Sequence, residues 1–267
     1  MLRTLAPDVT YFTGLHTPRI AATARRRGDI GLVITPDHNA YAEDAADYPA
    51  LMVDNGAFSQ KGFRPGPFER LLKRITANPE VKRKIWFVVT PDVVCNHTRT
   101  LELFNWWEPR IHALGLPCAF VAQNGVESRL DEIPWDRMDT LFLGGSTAWK
   151  EGDFGQELWT AEQGLERIQA SSFPQYAGWL RMLEEADERQ IPIHMGRVNS
   201  LSRMELAHVF YDMRSSDGTM LKFQQTERLR QLEGWLDWLN HGTGPLVEPR
   251  QKPRRQAEGQ LALWEVA

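Results

Sequence analysis

The sequence contains very few cysteines. Only Cys95 and Cys118 occur among its 267 residues. Two thiols are too few for a disulfide-stapled scaffold, and they cannot build a zinc site that needs three or four cysteines. Such sparse cysteine also favours a reducing compartment, where thiols are not used as structural cross-links.

Long hydrophobic runs are missing as well. No stretch approaches the roughly 18 apolar residues that a membrane-spanning helix requires. The amino-terminal residues also lack the apolar stretch of a signal peptide. We therefore expect a cytoplasmic protein that has no membrane partner.

The chain has no large excess of charge of either sign. Its formal net charge is −4, with 42% hydrophobic and 25% charged residues, which is typical of an ordinary globular protein without a general attraction to nucleic acid. A phosphate-binding loop of the Gly-x-x-x-x-Gly-Lys type and a dinucleotide fingerprint are both absent. No two of the seven histidines have the spacing of a helical metal site. The sequence predicts neither a cofactor nor a metal.

Short apolar runs recur along the chain, and most of the intervals between them show a helical pattern. Several runs are continuous rather than alternating, which is typical of strands buried on both faces of a parallel sheet. Eight such runs favour an α/β fold of the (β/α)₈ barrel type, with an open doubly wound sheet as the alternative. The predicted strands are Tyr11–Thr13, Ile30–Thr35, Ala50–Val53, Ile85–Thr90, Cys118–Ala122, Thr140–Leu143, Pro192–Met195 and Met213–Ser216.

The helices and domain bounds are predicted from similar patterns. We expect one barrel domain over residues 1–241 and a partly disordered tail, rich in Pro and basic residues, over 242–267. The predicted helices are Pro67–Ala77, Thr98–Leu114, Gln175–Arg189, Ser200–Tyr211 and Gln224–Leu239.

Two aspartates stand where predicted strands end. Asp54 follows Leu51-Met52-Val53, and Asp217 follows the strand Met213–Ser216. A single Asp in such a position is just as well explained as a helix cap or a turn former. Because the strand ends of a barrel converge on one pocket, several such residues together favour a catalytic site. One carboxylate could attack an electrophilic carbon while the other moves protons.

Other residues at strand ends could bind a heterocycle. Asp92 could accept two N–H groups from a base such as guanine, or it could cap the next helix. Gln123 offers both a donor and an acceptor. Gly144 and Gly145 would let a flat ligand approach the backbone, although a tight turn also explains the pair. Phe58 is placed to stack on a base.

Basic residues are concentrated between positions 61 and 84, a segment that contains eight basic residues and only two acidic ones. This local excess predicts a phosphate-binding face, and solvated helix surfaces are the alternative. A second basic group lies near the carboxyl terminus, at Arg250, Lys252, Arg254 and Arg255. The predicted nucleic-acid contacts in the first segment are Lys61, Arg64, Lys82, Arg83 and Lys84.

The order of these motifs resembles that of the tRNA-guanine transglycosylase superfamily. The resemblance runs from about Leu51 to Thr219, and it is specific because of the shared order rather than any single motif. The motifs are Asp-Asn-Gly-Ala-Phe (54–58), Pro-Asp (91–92), Val-Ala-Gln-Asn-Gly (121–125), Leu-Gly-Gly (143–145), His-Met-Gly-Arg (194–197) and Ser-Ser-Asp-Gly-Thr (215–219).

The resemblance implies a fold, a reaction and a set of roles. Members of this superfamily are (β/α)₈ barrels that cut a guanine N-glycosidic bond, hold the sugar covalently on an aspartate and install a 7-deazaguanine. By position, Asp217 would be the nucleophile and Asp54 the general acid/base. The base edge would be held by Asp92, Gln123 and Gly144, with Gly145 beside it, and Gly196 would fall in a loop that closes over the base.

The chain departs from the tRNA enzymes in two respects. It has no cysteine after Cys118, so it lacks their zinc site of three cysteines and a histidine, and it is much shorter. This compact, zinc-free form looks more like the branch that places 7-deazaguanines in DNA, the DpdA-like proteins of phages and bacterial modification islands. The resemblance therefore implies DNA and a 7-cyano-7-deazaguanine type of base as substrates, with accessory modification proteins as further partners.

Three alternatives remain open at this point. The substrate could be tRNA rather than DNA. A barrel N-glycosidase or hydrolase acting on a small nucleoside-like substrate could use the same aspartates. A non-catalytic nucleic-acid-binding relative is a third alternative, and its expected signature would be the loss of Asp54 or Asp217, both of which are present.

Overall fold

The computed structural model describes residues 9–37, 41–59, 62–150 and 174–243, and these residues form a closed barrel of eight parallel strands. Each strand pairs with the next along the chain, and β8 pairs with β1 to close the sheet. This confirms the predicted single (β/α)₈ barrel. The strands are β1 (Thr10–Thr13), β2 (Ile30–Ile34), β3 (Leu51–Val53), β4 (Ile85–Val89), β5 (Cys118–Ala122), β6 (Thr140–Leu143), β7 (Ile193–Met195) and β8 (Ser215–Gly218).

Helices follow most of the strands and lie outside the barrel. Several begin at a polar side chain that accepts a backbone N–H of the first turn: Thr17 caps α1, Asn96 caps α5 and Ser200 caps α8. The helices are α1 (Pro18–Arg27), α2 (Tyr41–Ala46), α3 (Pro65–Thr76), α4 (Pro79–Lys82), α5 (His97–Ala113), α6 (Thr147–Lys150), α7 (Pro174–Glu188), α8 (Leu201–Glu205) and α9 (Gln225–His241).

The strands are buried on both faces, so the core has two parts. Outward-facing side chains pack against the helices in one large apolar cluster. Inward-facing side chains fill the barrel: Phe12, Val33, Ala50, Met52, Phe87, Val89, Ala119, Val121 and Phe142. This division explains why the strands read as continuous apolar runs.

An aromatic floor, formed by Phe12, Phe87, Phe142 and His194, closes the barrel interior. The His194 ring stacks on Phe142 at a centroid distance of 4.8 Å, and it meets the Phe87 and Phe12 rings at 5.1 and 6.0 Å. A Cβ at Gly31 would lie 2.5 Å from the Phe12 ring, so only glycine leaves room for this side chain.

Two predicted boundaries are corrected by the structure. Strand β8 begins at Ser215 rather than Met213, so Asp217 lies inside the strand instead of after it. The last strand was misplaced because its own residues, Ser-Ser-Asp-Gly, are polar. The helix predicted over Ser200–Tyr211 is an α-helix only to Glu205 and continues as a π-helical turn over Leu206–Phe210.

The described chain ends just after helix α9. Gly242 adopts a left-handed conformation, with φ of 62°, and its N–H bonds to the Trp238 carbonyl, which terminates the helix. The predicted tail from residue 244 onward, with its basic group at 250–255, lies outside the described residues. Within the described ranges, no helix is long and apolar enough to cross a membrane.

Candidate active site

The structure brings the predicted catalytic and base-binding residues to one end of the barrel. Asp54 directly follows β3, and its N–H bonds to the Ile34 carbonyl at the end of β2. Asp217 lies near the carboxyl end of β8, in register with Phe12, whose side chain fills the barrel. Because all eight strands are parallel, both carboxylates belong to the carboxyl-terminal mouth, where barrel enzymes hold their chemistry.

Asp54 is held in a tight turn. Its Oδ1 accepts the Gly56 N–H at 2.6 Å, and Gly56 takes a left-handed φ of 76° that suits glycine. Burial, together with the negative charges of Asp217 and Asp92, raises the pKa of Asp54 to about 6 against the opposing effect of the Gly56 hydrogen bond. A carboxyl group with such a pKa exchanges protons readily near neutral pH, as a general acid/base must.

Asp217 has a different environment. Its side chain is 19% exposed, and its Oδ1 lies 3.0 Å from Nε2 of the fully buried His194. His194 Nδ1 in turn lies 2.8 Å from the Ser215 hydroxyl. Because a carboxylate can only accept, His194 donates from Nε2, and its Nδ1 accepts from Ser215. Burial lowers the pKa of His194 despite the neighbouring Asp217, which agrees with this neutral tautomer.

His194 and Ser215 were missed as site residues, although the sequence carries a signal for them. Ser215 and Asp217 are two residues apart in one strand, so their side chains share a face. His194 pairs with Ser215 in the neighbouring strand and therefore shares that face too. Polar residues at alternate positions of a predicted barrel strand indicate the interior, but the cross-strand register had to be known to join them.

Asp92 is clamped by two side-chain amides. Asn55 Nδ2 donates to one carboxylate oxygen at 2.8 Å, and Gln123 Nε2 donates to the other at 2.7 Å. Asn55 is also fixed by the Thr90 carbonyl, at 2.7 Å. Burial raises the pKa of Asp92, while these two hydrogen bonds and the nearby Arg197 charge oppose the rise. The clamp fixes the carboxylate in one orientation.

Gln123 is engaged by neighbouring protein groups. It is buried, and both ends of its amide are bonded, because its Oε1 accepts the Cys95 N–H at 2.8 Å and its Nε2 donates to Asp92. Gln123 therefore positions Asp92, and its contact with a base stays a prediction. Cys95 itself is exposed and adopts a left-handed φ of 59°.

The Gly144 and Gly145 carbonyls bind a guanidinium group. Arg197 Nη2 donates to the Gly145 oxygen at 2.6 Å and to the Gly144 oxygen at 3.2 Å. The same guanidinium lies over the Phe58 ring, with its carbon 4.6 Å from the ring centroid. Glycine is required at 144, since a Cβ there would lie 2.8 Å from Gln123 Nε2.

Gly196 lies between Phe142 of the aromatic floor and Asp217, the candidate nucleophile. A Cβ at this position would come within 2.9 Å of the Phe142 ring and within 3.3 Å of Asp217 Oδ1. Its carbonyl accepts a hydrogen bond from the buried Lys150 Nζ at 2.5 Å. The backbone after β7 therefore approaches Asp217 closely, and a side chain at Gly196 would obstruct that approach.

The predicted nucleic-acid contacts are not gathered in one place. Arg64 lies on the catalytic side, after β3, where it forms an ion pair with Asp37. Lys82, Arg83 and Lys84 immediately precede β4 and so belong to the opposite, amino-terminal end of the barrel. Lys84 there donates to the Ala46 carbonyl at 3.1 Å. Lys61 lies outside the described residues.

This placement corrects the interpretation of residues 61–84 as one phosphate-binding face. Helix α3 runs for 12 residues between Arg64 and the Lys82–Lys84 group, a length of about 18 Å at 1.5 Å per residue. The helix carries the chain from one end of the barrel to the other, so residues that are close in sequence are separated in space. Lys82, Arg83 and Lys84 do not line the mouth.

No group of three or more His, Cys, Asp or Glu side chains arranged to hold a metal is found among the described residues. The site consists of two aspartates in distinct environments, a third carboxylate clamped by amides, two backbone carbonyls and an exposed aromatic ring. This combination can supply a nucleophile, a proton carrier and acceptors for a planar ligand that carries N–H donors.

Comparisons with known proteins identify no family. No family model and no curated protein matches the sequence. Solved structures similar to this chain include the HpcH/HpaI aldolase from Desulfitobacterium hafniense DCB-2 (11% identity, 86% of this chain and 93% of that chain, TM-score 0.46). Another is the Haloferax volcanii malate synthase lead(II) complex (11% identity, 92% of this chain and 75% of that chain, TM-score 0.46). A third is the N-acetylmannosamine-6-phosphate 2-epimerase from Clostridium perfringens (10% identity, 84% of this chain and 91% of that chain, TM-score 0.41).

Proposed function

We propose that this protein is a guanine transglycosylase that exchanges guanine in DNA for a 7-deazaguanine of the 7-cyano-7-deazaguanine type. The observation that supports this most is the pairing at one barrel mouth of Asp217, partly exposed and oriented by a neutral histidine, with Asp54, whose pKa is raised to about 6. The order of the motifs from Asp54 to Thr219 also resembles that of the tRNA-guanine transglycosylase superfamily. No metal or redox cofactor is needed for this exchange.

The first half of the reaction releases guanine. A carboxylate oxygen of Asp217 attacks C1′ of the deoxyribose, the C1′–N9 bond breaks, and its electron pair leaves with the purine. Asp54 gives the departing purine a proton. With a pKa of about 6, roughly one Asp54 in ten carries that proton at pH 7. The sugar is left as an ester on Asp217.

The second half installs the new base. Asp54, now a carboxylate, takes the proton from N9 of the 7-deazaguanine, and N9 attacks C1′. The ester bond breaks and its electrons return to Asp217. Two displacements at one carbon retain its configuration, as in retaining glycosidases. Hydrogen bonding to His194 fixes Oδ1 of Asp217 and leaves the second oxygen to attack.

Base recognition is assigned to the clamped carboxylate and its surroundings. Asp92 can accept the N1–H and N2–H groups of guanine on lone pairs that Asn55 and Gln123 leave unused. The Gly144 and Gly145 carbonyls add acceptors, and the exposed ring of Phe58 supplies a stacking surface. A base inside a duplex cannot reach this mouth, so the substrate nucleotide must be flipped out or single-stranded.

DNA is preferred over tRNA for a reason that lies in the sequence. Residues 119–267 contain no cysteine with which to build the zinc site of the tRNA enzymes. A zinc-free barrel is a feature of the DNA-modifying branch. The choice of polynucleotide therefore depends on the resemblance, whereas the chemistry depends on the carboxylates.

The test measures release of labelled guanine from DNA and, separately, from tRNA, each with and without 7-cyano-7-deazaguanine. Release from DNA that requires the added base supports the exchange. Release from tRNA alone would move the substrate to RNA. Release that continues without any incoming base would identify an N-glycosidase, and no release from either polymer would contradict the proposed function.

A further inference from the structure

The guanidinium of Arg197 occupies the part of the mouth where the acceptors converge. It donates to the Gly145 and Gly144 carbonyls, it covers one face of the Phe58 ring, and its charge is close enough to Asp92 to oppose the rise in the pKa of that carboxyl. These are the carbonyl, aromatic and carboxylate groups that the proposed function assigns to the base. Only about 10 Å³ remains free in the adjoining space beside Lys150, Gly196 and Arg203.

A guanidinium and the edge of guanine present similar chemistry. Each is planar and carries adjacent N–H donors, so each can bond to carbonyl and carboxylate oxygens while its face stacks on an aromatic ring. A pocket that accepts one is therefore suited to the other. The two cannot occupy the same acceptors at once.

The backbone conformation of Arg197 is compatible with a side chain that leaves the pocket and returns to it. Its φ of 62° lies in the left-handed region, which disfavours any residue with a Cβ. The carbonyl of Arg197 accepts a bond of 3.4 Å from Arg203, and the residue lies directly after Gly196, where the chain has no side chain to pack. Such a conformation persists only while the surrounding contacts hold it, and here those contacts include the ones made by the guanidinium.

We propose that Arg197 is an internal ligand of the base pocket, a gate that must withdraw before a guanine-type base can bind. The identity of the base in this proposal rests on the proposed function. The occupancy of the acceptors by a guanidinium is seen in the structure and does not depend on that function. If the gate is closed nine-tenths of the time or more, the apparent affinity for free base is lowered about tenfold or more relative to an open pocket.

The experiment compares guanine binding, by calorimetric titration, in the wild type and three variants. Arg197→Ala opens the pocket, Arg197→Lys keeps the charge but loses the planar fork, and Arg129→Ala is a matched control. Arg129 is an arginine in the loops after β5 that bonds to Thr98 rather than to the pocket. Thermal unfolding of each protein confirms that the variants are folded before they are compared.

We expect Arg197→Ala to bind guanine at least about tenfold more tightly than the wild type, Arg197→Lys to fall between them, and Arg129→Ala to match the wild type. Guanidinium chloride at non-denaturing concentration should compete with guanine in Arg197→Ala. If the wild type binds guanine, equal or weaker guanine binding by Arg197→Ala would overturn the gate, because it would make Arg197 neutral or a direct contact to the base.

A second titration, with guanidinium chloride alone, separates failure of the gate from failure of the proposed function. If neither the wild type nor any variant binds guanine, but Arg197→Ala binds guanidinium more tightly than the wild type, the gate is supported and the proposed recognition of guanine is rejected. If Arg197→Ala binds neither ligand more tightly than the wild type does, the gate is overturned, whatever the substrate.

Discussion

The two ends of the barrel differ in how space and chemistry are distributed. The amino-terminal end has a cavity of about 1080 Å³, lined by residues that include Trp86, Asp187 and Arg214. At the carboxyl-terminal end, among the described residues, the cavity lined by Lys150, Arg197 and Arg203 has a volume of about 10 Å³. Yet Asp54, Asp92 and His194, whose pKa values are shifted mainly by burial, all belong to the second end.

The cavity at the amino-terminal end therefore lies away from the candidate active site. At the carboxyl-terminal end, the polar groups form two hydrogen-bonded sets. One joins Asn55, Asp92 and Gln123, which follow β3, β4 and β5, and the other joins His194 of β7 to Asp217 of β8. Clustered groups with shifted pKa values indicate function more directly than volume does. The Arg197 guanidinium, which binds the Gly144 and Gly145 carbonyls, lines the small cavity at this end.

The largest expected effect comes from the nucleophile candidate. Asp217→Asn should lower guanine release by about 10⁴-fold or more, because an amide is a poor nucleophile. Release of labelled guanine in a single turnover measures the loss. Asp187→Asn, which changes a carboxylate at the cavity of the opposite end, is the matched control and should leave release unchanged. A similar loss of guanine release in Asp187→Asn would contradict the assignment of the chemistry to the carboxyl-terminal end.

Asp54→Asn should have a smaller effect, about 10²- to 10³-fold, because general acid/base catalysis contributes on that scale. Its signature is the pH profile. Departure of guanine uses protonated Asp54, whose pKa is about 6. Single-turnover release by the wild type should therefore fall about tenfold per pH unit above pH 6, and Asp54→Asn should lose this dependence. A wild-type rate that stays level from pH 6 to 8 would assign the proton to another group.

The Asp92 clamp should affect binding of the base more than turnover. Asn55→Ala removes one of the two amides that orient Asp92, and loss of a hydrogen bond to a charged group should raise KM for the incoming base about tenfold with a smaller change in kcat. Asn96→Ala, which removes the cap of α5 instead, is the control. A fall in kcat with unchanged KM would argue that the clamp serves the chemical step.

The smallest effect is expected at the amino-terminal end. Replacing Lys82, Arg83 and Lys84 with Ala should leave the salt dependence of DNA binding unchanged, since these residues lie away from the mouth. Arg64→Ala, on the catalytic side, should reduce the slope of log K against log salt by about 0.9 if Arg64 contacts one phosphate. A reduced slope in the triple variant would mean that DNA also reaches the opposite end.

The sequence predicted the barrel well because its strands are buried on both faces. Continuous apolar runs such as Ile85-Trp86-Phe87-Val88-Val89 are typical of strands in a buried parallel sheet, and seven of the eight predicted strands begin within one residue of the observed ones. The exception is β8, whose polar residues line the site itself. Local residues that serve function weaken the pattern by which strands are recognised.

The contacts within the site could not be predicted in the same way. Asp54, Asp92 and Asp217 were found because each stands at a strand end. The bonds from Asn55 to Asp92 and from His194 to Asp217 join residues 37 and 23 positions apart, so they depend on the register between strands. The separation of Lys82–Lys84 from Arg64 depends in turn on the course of α3.

The most direct test of Asp217 as the nucleophile is to trap the covalent intermediate and map it. Wild-type protein is incubated with a labelled guanine-containing oligonucleotide, resolved by denaturing electrophoresis, and the adduct is located by mass spectrometry. We expect an ester on Asp217, no adduct from Asp217→Asn, and a detectable adduct from Asp54→Asn, since its nucleophile remains. An adduct on another residue, or one that persists in Asp217→Asn, would contradict the proposed mechanism at its central step.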